Sequence, residues 1–395
     1  MHTTVVRRDR QVGERETPEQ TVMVRDRTAA VRSSASERIE LWAQAPGLEL
    51  SLTRSVGPLR LDIFNCPRDS VLVWSGGSVV AARVDDHLAS CRFDLPAVGS
   101  ETVRVGPPDR ELDAPFVFAV LSDVQRAINE VHEVFERMNQ DPELRFVVST
   151  GDLVNTGALD ELQHFQRELE RLSVPFYSTV GNHEMGADAH AWHDLFGPFN
   201  VHFGFKGVRF SLVDSGNATI DPHVYDWLDG WLDAARDQVH VVLTHVPPLD
   251  PVGLRGGGFR NRKEGAKLMQ KLADGRADAL FLGHIHSFYA FSAAGVSTYI
   301  SGGGGATRRA PRRPSTPLLE GASNAAPEGR VGGHRARGLT FGTEGRSNIV
   351  CVSALNRGGK SLTNGSLSLP SAYVLWNTGW MWRRLGEDPE VSSEA

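Results

Sequence analysis

Cysteine is scarce in this sequence: Cys66, Cys91 and Cys351 are the only three in 395 residues, too few and too scattered for a disulfide framework or a cysteine-rich zinc site. At most Cys66 and Cys91 can pair, and two buried thiols are the simpler expectation. No stretch approaches the roughly 18 uninterrupted apolar residues of a membrane span. The opening MHTTVVRRDRQVGERETPEQ breaks every apolar run with charge, so no secretory leader is read there, and a cytoplasmic protein is expected. Charge of one sign is also missing. The 42 basic and 48 acidic side chains leave a formal net charge of -6, which provides no field to draw nucleic acid or an anionic membrane. Any anionic substrate must be held locally.

What is present is an ordinary globular mixture, 40% hydrophobic and 23% charged, on a chain long enough for two or three domains. Residues 1–37 are polar, rich in Arg, Glu and Thr, and without sustained periodicity, which predicts a flexible N-terminal arm. Over 38–106 short β-branched runs such as LELSLTRS, LRLDIFNC and SVLVWSG alternate with turn residues and predict a small all-β sandwich. PPDRELDAP, residues 107–115, reads as a linker. From 116 to 305 apolar strand candidates alternate with helix candidates, the signature of a layered α/β domain. One predicted helix places Ile128, Val131, Val134, Phe135 and Met138 on a single face; others are expected around Leu159–Leu172, Val224–Ala235 and Glu264–Ala273. Residues 306–395 are low-complexity and expected to be largely disordered, with a short Trp-rich segment, SAYVLWNTGWMWRRL.

Five strand candidates end in residues able to bind metal: Asp123 in LSDVQ, Asp152 in STGDLVN, Asn182 and His183 in VGNHE, His245 in LTHVPP, and His284 and His286 in GHIH. Singly each is unremarkable, since Gly-Asp and Gly-Asn make turns and strand-end histidines are common. As an ordered set they point to one place, because in layered α/β folds sites form beyond the carboxyl ends of the strands. Gly151, Gly181 and Gly283 let the chain turn tightly beside them.

This series resembles the calcineurin-like metallophosphoesterase pattern D-x-H, GD, GNH[DE], H and GHxH, over about Phe116 to Ala306. The resemblance implies a four-layer αββα sandwich of two mixed sheets, with two divalent metal ions (Mn, Fe or Zn) at its edge. It implies that Asp152 bridges both ions, that Asp123 and His286 complete site one, and that Asn182, His245 and His284 complete site two. It also implies hydrolysis of phosphomonoesters or phosphodiesters by a metal-bridging hydroxide, with His183 as general acid. A packing role is the alternative for His183. Two further readings are a cyclic-nucleotide phosphodiesterase, and a metal- or phospholigand-binding module with an impaired site one. A fibronectin-like or Ig-like domain ahead of the catalytic domain is similar to the arrangement in purple acid phosphatases.

Two positions depart from the family pattern. Gln125 stands where most members have the histidine of D-x-H, either coordinating through its carbonyl oxygen or leaving water in its place. Asn155 stands where the phosphoprotein phosphatases carry an Asp that pairs with the general acid, and Thr156 replaces the Arg that follows it. Two other groupings are set aside. Arg308, Arg309, Arg312 and Arg313 lack the interleaved aromatics of a base-stacking surface, and His190 and His193 of HAWH are read as surface or pocket wall.

Overall fold

Alternation of apolar and polar residues over QTVMV and LELSLTR buries one face of each strand, and the computed structural model assembles such strands into two N-terminal sheets. It describes residues 2–306 except 85, 188–189, 252 and 254–255, together with the backbone of 339–341, 347–354 and 374–376. The first sheet runs, in spatial order, Glu14–Glu16, Gln20–Val24, Leu48–Arg54, Glu101–Gly106, Val71–Trp74 and Gly77–Val80, every pair antiparallel. The second runs Ala29–Ala35, Arg38–Ala43, Gly57–Phe64 and Ser90–Val98, its middle pair parallel. Both sheets feed one apolar core containing Val22, Leu50, Leu41, Leu61, Ile63 and Phe93, each worth about 1.5–3 kcal/mol of burial. Cys66 and Cys91 lie in it as free thiols.

The N-terminus differs from the expected flexible arm. Residues His2–Gln11 form a helix, and the next three strands belong to the two sheets. Val5 and Val6 are buried in the cores of the following α/β region, and the Asp9 carboxylate is 1% exposed. The helix is short, and the partners of its charged residue lie far along the chain, so local periodicity does not reveal it.

The α/β region is built on two further sheets. One has the order Phe176–Ser178, Leu144–Ser149, Phe116–Leu121, Ser347–Ala354 and Leu339–Phe341, with Val374–Trp376 also paired to Ser347–Ala354. The other has the order Val201–Phe205, Val208–Val213, Val239–Thr244, Ala279–Leu282, Val296–Ser301 and Phe288–Ala293. The disorder expected for 306–395 falls outside the described residues except at these three strands. There SNIVCVSA pairs antiparallel with Phe116–Leu121 from Phe116↔Ala354 to Val120↔Val350. The Arg308–Arg313 grouping also lies outside the described residues.

Strand pleating explains why the central strands read as continuous apolar runs. Phe118 and Val120 join Phe146, Phe210, Val241, Leu243 and Phe281 in a core shared by the two sheets. Val117, Ala119 and Leu121 face the other way, onto Phe135, Phe165 and Trp192. Those three come from helices Val131–Met138, Leu159–Leu169 and Ala191–Leu195. Helices Pro222–Ala234 and Arg262–Asp274 contribute Leu228, Leu232, Leu268 and Leu272 to a core with Val242, Leu280 and Leu282. The fold is thus mixed α/β and rich in sheet. No helix among the described residues is long and apolar enough to cross a membrane.

Segment 107–115 is held rather than loose. The Arg110 carbonyl accepts from Lys206 N at 2.7 Å, and Asp109 takes ion pairs from Lys206 (2.6 Å) and Arg145 (3.1 Å).

Candidate metal centre

Strands Phe116–Leu121, Leu144–Ser149 and Phe176–Ser178 run parallel in one sheet, and Val239–Thr244 and Ala279–Leu282 run parallel in the other. Their carboxyl ends deliver Asp123, Asp152, Asn182, His245, His284 and His286 to one locus. Two triads of ligand atoms, each within 4.8 Å, are formed there: Asp152, His245 and His284, and Asp123, Asp152 and His286. Asp152 belongs to both.

The backbone is bent to make this possible. Asp123, Gln125, Asp152 and His284 all have positive φ, at 58°, 47°, 56° and 68°, a conformation costing roughly 1–3 kcal/mol per non-glycine residue. Gly181 must lack a side chain, since a Cβ there would stand 2.1 Å from Asp152 Oδ1. Glu184, the last letter of GNHE, is fully buried and accepts four main-chain N–H groups. Its Oε2 takes Asp152 N (2.8 Å) and Gly181 N (2.7 Å), and its Oε1 takes Leu153 N (2.6 Å) and Val154 N (3.2 Å). One carboxylate thereby ties the Asp152 turn to the Asn182 turn. The motif contains this residue, but spacing alone gives no sign of the role.

Each of two histidines commits its outward nitrogen to a carbonyl. His245 Nδ1 lies 3.0 Å from the Thr150 carbonyl, and His284 Nε2 lies 2.8 Å from that of Gly256. Their other nitrogens then turn lone pairs inward: His245 Nε2 is 3.2 Å from Asp152 Oδ2 and 3.1 Å from Asn182 Oδ1, and His284 Nδ1 is 2.8 Å from Asn182 Oδ1. Lone pairs of nitrogen and oxygen at these separations repel unless a proton or a cation lies among them. The donor set therefore fits a divalent cation at this group. At the other, His286 Nε2 lies 3.5 Å from Asp123 Oδ1.

The electrostatics carry the same demand. Burial pushes the Asp123 carboxyl up to about 6, partly offset by His245. Burial alone would raise Asp152 too, but the charges and hydrogen bonds of His245 and His183 outweigh it and hold this carboxyl well below the usual range. Burial opposes protonation of His245, yet Asp152, Asp123 and Glu184 lift it to about 9. His284 is lowered to about 4 by burial and by the neighbouring His245. Unpaired by cations, the cluster needs protons to hold its carboxylates together.

Gln125 reaches the locus as its buried neighbour. Its Nε2 donates to Asp152 Oδ2 at 3.0 Å and stands 3.2 Å from His286 Nε2, so the amide nitrogen, not the carbonyl oxygen, faces the cluster. His183 lies at the rim. Its main-chain N–H donates to Asp152 Oδ1 (2.9 Å), its Nδ1–H donates to the Asn155 carbonyl, and its Nε2 is 3.9 Å from Asp152 Oδ2. Asn155 thus touches His183 through its main chain, while its side-chain oxygen accepts from Arg126 Nε at 3.2 Å. His193 is neither surface nor pocket wall: it is fully buried against Asp9.

Residues 116–288 match the family model described as calcineurin-like phosphoesterase. A curated relative, the probable glycerophosphodiester phosphodiesterase GpdQ of Arcobacter nitrofigilis, is 25% identical over 164 residues, 38% of this chain. The match spans 59% of that relative's length. Among solved structures, purple acid phosphatase PPD1 of yellow lupin (Lupinus luteus) superposes with a TM-score of 0.47 at 12% identity, over 69% of this chain and 65% of that one. A dimetal phosphatase from Danio rerio does so with a TM-score of 0.40 at 14% identity, over 47% and 86%. Residues 116–288, the segment that matches the calcineurin-like phosphoesterase model, contain all five motifs.

Proposed function

We propose that the protein hydrolyses phosphate esters with two divalent metal ions. The observation that carries this is the pair of ligand triads sharing Asp152. Asp152, His245 and His284 with the Asn182 carbonyl oxygen would hold one ion, and Asp152, Asp123 and His286 the other, with Gln125 beside it. Such mixed imidazole and oxygen donors suit manganese, iron or zinc. Ions held there would supply Lewis acidity toward phosphoryl oxygens and toward water.

The protein's own residues do the rest. Glu184 holds the two ligand turns in register, and the Thr150 and Gly256 carbonyls fix the rings of His245 and His284. The Asn155 carbonyl fixes the His183 ring with Nδ1 protonated, so that a proton carried on Nε2 would pass to the departing oxygen and leave the ring neutral. The name of the curated relative supports phosphodiesters within the substrate class.

The two sheets with a shared core and helices on their outer faces support reading residues 116–305 as a four-layer αββα sandwich. The separate core of the N-terminal sheets supports a distinct all-β domain joined through 107–115. One observation favours a second functional reading, a binding module with an impaired site one: the Gln125 amide nitrogen faces Asp152.

The test is elemental analysis of purified protein combined with hydrolysis of p-nitrophenyl phosphate, its bis-ester and cyclic AMP, with and without chelator. Chelator-sensitive turnover restored by metal is expected. Phosphate binding without turnover under any metal would establish the module instead.

A further inference from the structure

We infer that Arg126 selects substrates whose leaving group itself carries a negative charge, an inference resting on the phosphoesterase reading above. The single turn Gln125–Ala127 places consecutive residues in opposite settings: Gln125 is buried against Asp152, and Arg126 stands exposed at the rim. Asn155 fastens both Arg126 and His183, the first through its side-chain oxygen and the second through its main-chain carbonyl. A guanidinium and the proton donor for the leaving oxygen are thereby held side by side by one residue. An anionic group recognised by Arg126 therefore belongs to the departing half of the substrate.

The guanidinium is available for this. Its Nε is spent on a neutral amide, and among the described residues no carboxylate lies within ion-pair distance of it. Were residue 155 an aspartate, the same 3.2 Å contact would be a salt bridge, and the positive charge at the rim would be neutralised. Asn155 keeps Arg126 in place without cancelling its charge. Since the chain's net charge of -6 draws no anion to the surface at large, a local cation beside the leaving-group position decides which esters are favoured.

The test compares 4-carboxyphenyl phosphate with its methyl ester, a matched pair differing in charge on the leaving group, in metal-loaded wild type, Arg126→Ala, Arg126→Lys and Asn155→Asp. The readout is the ratio of kcat/KM for acid over ester. Arg126→Ala should lower it by about fivefold, mainly through KM of the acid, the scale of one partly screened charge-assisted hydrogen bond. Arg126→Lys should keep most of the preference, and Asn155→Asp should lower it. An effect of the new carboxylate on His183 is read separately, as a change in the ratio that persists when Asn155→Asp is made in the Arg126→Ala background. Rising salt should erode the wild-type ratio and leave that of Arg126→Ala flat. A ratio unchanged in both Arg126→Ala and Asn155→Asp would overturn the assignment while leaving the phosphoesterase reading intact. No turnover of either ester by metal-loaded wild type would count against that reading, and this inference would fall with it.

Discussion

The Asp9 carboxylate, in the first helix, lies 2.9 Å from Nε2 of His193, a residue 184 positions further along the chain, and both side chains are excluded from water. The same carboxylate accepts Phe199 N at 2.8 Å, Asn200 N at 3.2 Å and Asn200 Nδ2 at 2.8 Å. Asn200 passes the connection on, its Oδ1 accepting Asp214 N at 2.8 Å. The N-terminal helix is therefore a fastening between the chain's beginning and the stretch from His193 to Asn200 that follows the Asn182 turn.

Removing it has a definite cost. Asp9→Ala strands a buried imidazole and three amide donors, which should destabilise the fold by roughly 3 kcal/mol. A fall of several degrees in Tm is expected. Deleting residues 2–11 should cost more, because Val5 and Val6 leave their cores as well. A truncated protein melting with the full chain would show that the helix does not dock in solution.

Asp152→Asn should nearly abolish phosphoesterase activity and lower metal occupancy at both sites, because one carboxylate serves both triads. Measured stoichiometry decides the matter. Two tightly retained metals with wild-type turnover would be incompatible with a shared ligand.

His183→Ala should keep its metal content and lose roughly 10²–10⁴-fold in rate on esters with poor leaving groups. Activated aryl phosphates need less proton donation and should lose less. Equal losses on both would make His183 a positioning residue.

A pH effect on stability arises away from the metal centre. His202 stacks on Trp231 at 5.3 Å between ring centroids and shares the Ser211 hydroxyl with His240. Burial, and after it the Arg209 charge, lower its pKa from 6.5 to about 4. Above pH 6.5 neither the folded nor the unfolded form binds this proton, and stability is at its full value. As pH falls from 6.5 towards 4 the unfolded chain takes up the proton first, so stability is lost across that window. His202→Gln should make the urea midpoint fall less between pH 7 and pH 4.5. An equal fall in both proteins would show that His202 is not held neutral.

The metal-centre candidates were legible because their residue types are chemically demanding and each follows an apolar strand. The helix around Phe135 was legible from its apolar face, and helices were expected around Leu162 and Leu268 as well. Glu184 was not legible in its role, since a buried acid that turns back to hold main-chain N–H groups leaves no periodic trace. Asp9 was missed because its partners are remote in sequence. The strand SNIVCVSA was hidden between Gly- and Ser-rich flanks, and its partner, Phe116–Leu121, lies more than two hundred residues earlier. Composition speaks for a window, while strand pairing depends on the whole chain.

Gln125 provides the sharpest test of the candidate site. Its Nε2 sits 3.0 Å from Asp152 Oδ2 and 3.2 Å from His286 Nε2, within reach of any ion held between Asp123, Asp152 and His286. An amide is a weak donor to transition metals, whereas imidazole gains more from zinc than from manganese. Gln125→His should therefore tighten binding of the second metal equivalent, with the larger gain for zinc. Activity need not rise, because a tighter site also retains product phosphate. Gln125→Ala should leave the second equivalent unchanged, since the amide nitrogen donates to Asp152; a weakened second equivalent would show that the amide turns its carbonyl oxygen to the ion. Metal titration by calorimetry reads both variants directly. Unaltered affinity and selectivity in the two together would place Gln125 outside the coordination sphere, with site one completed by water.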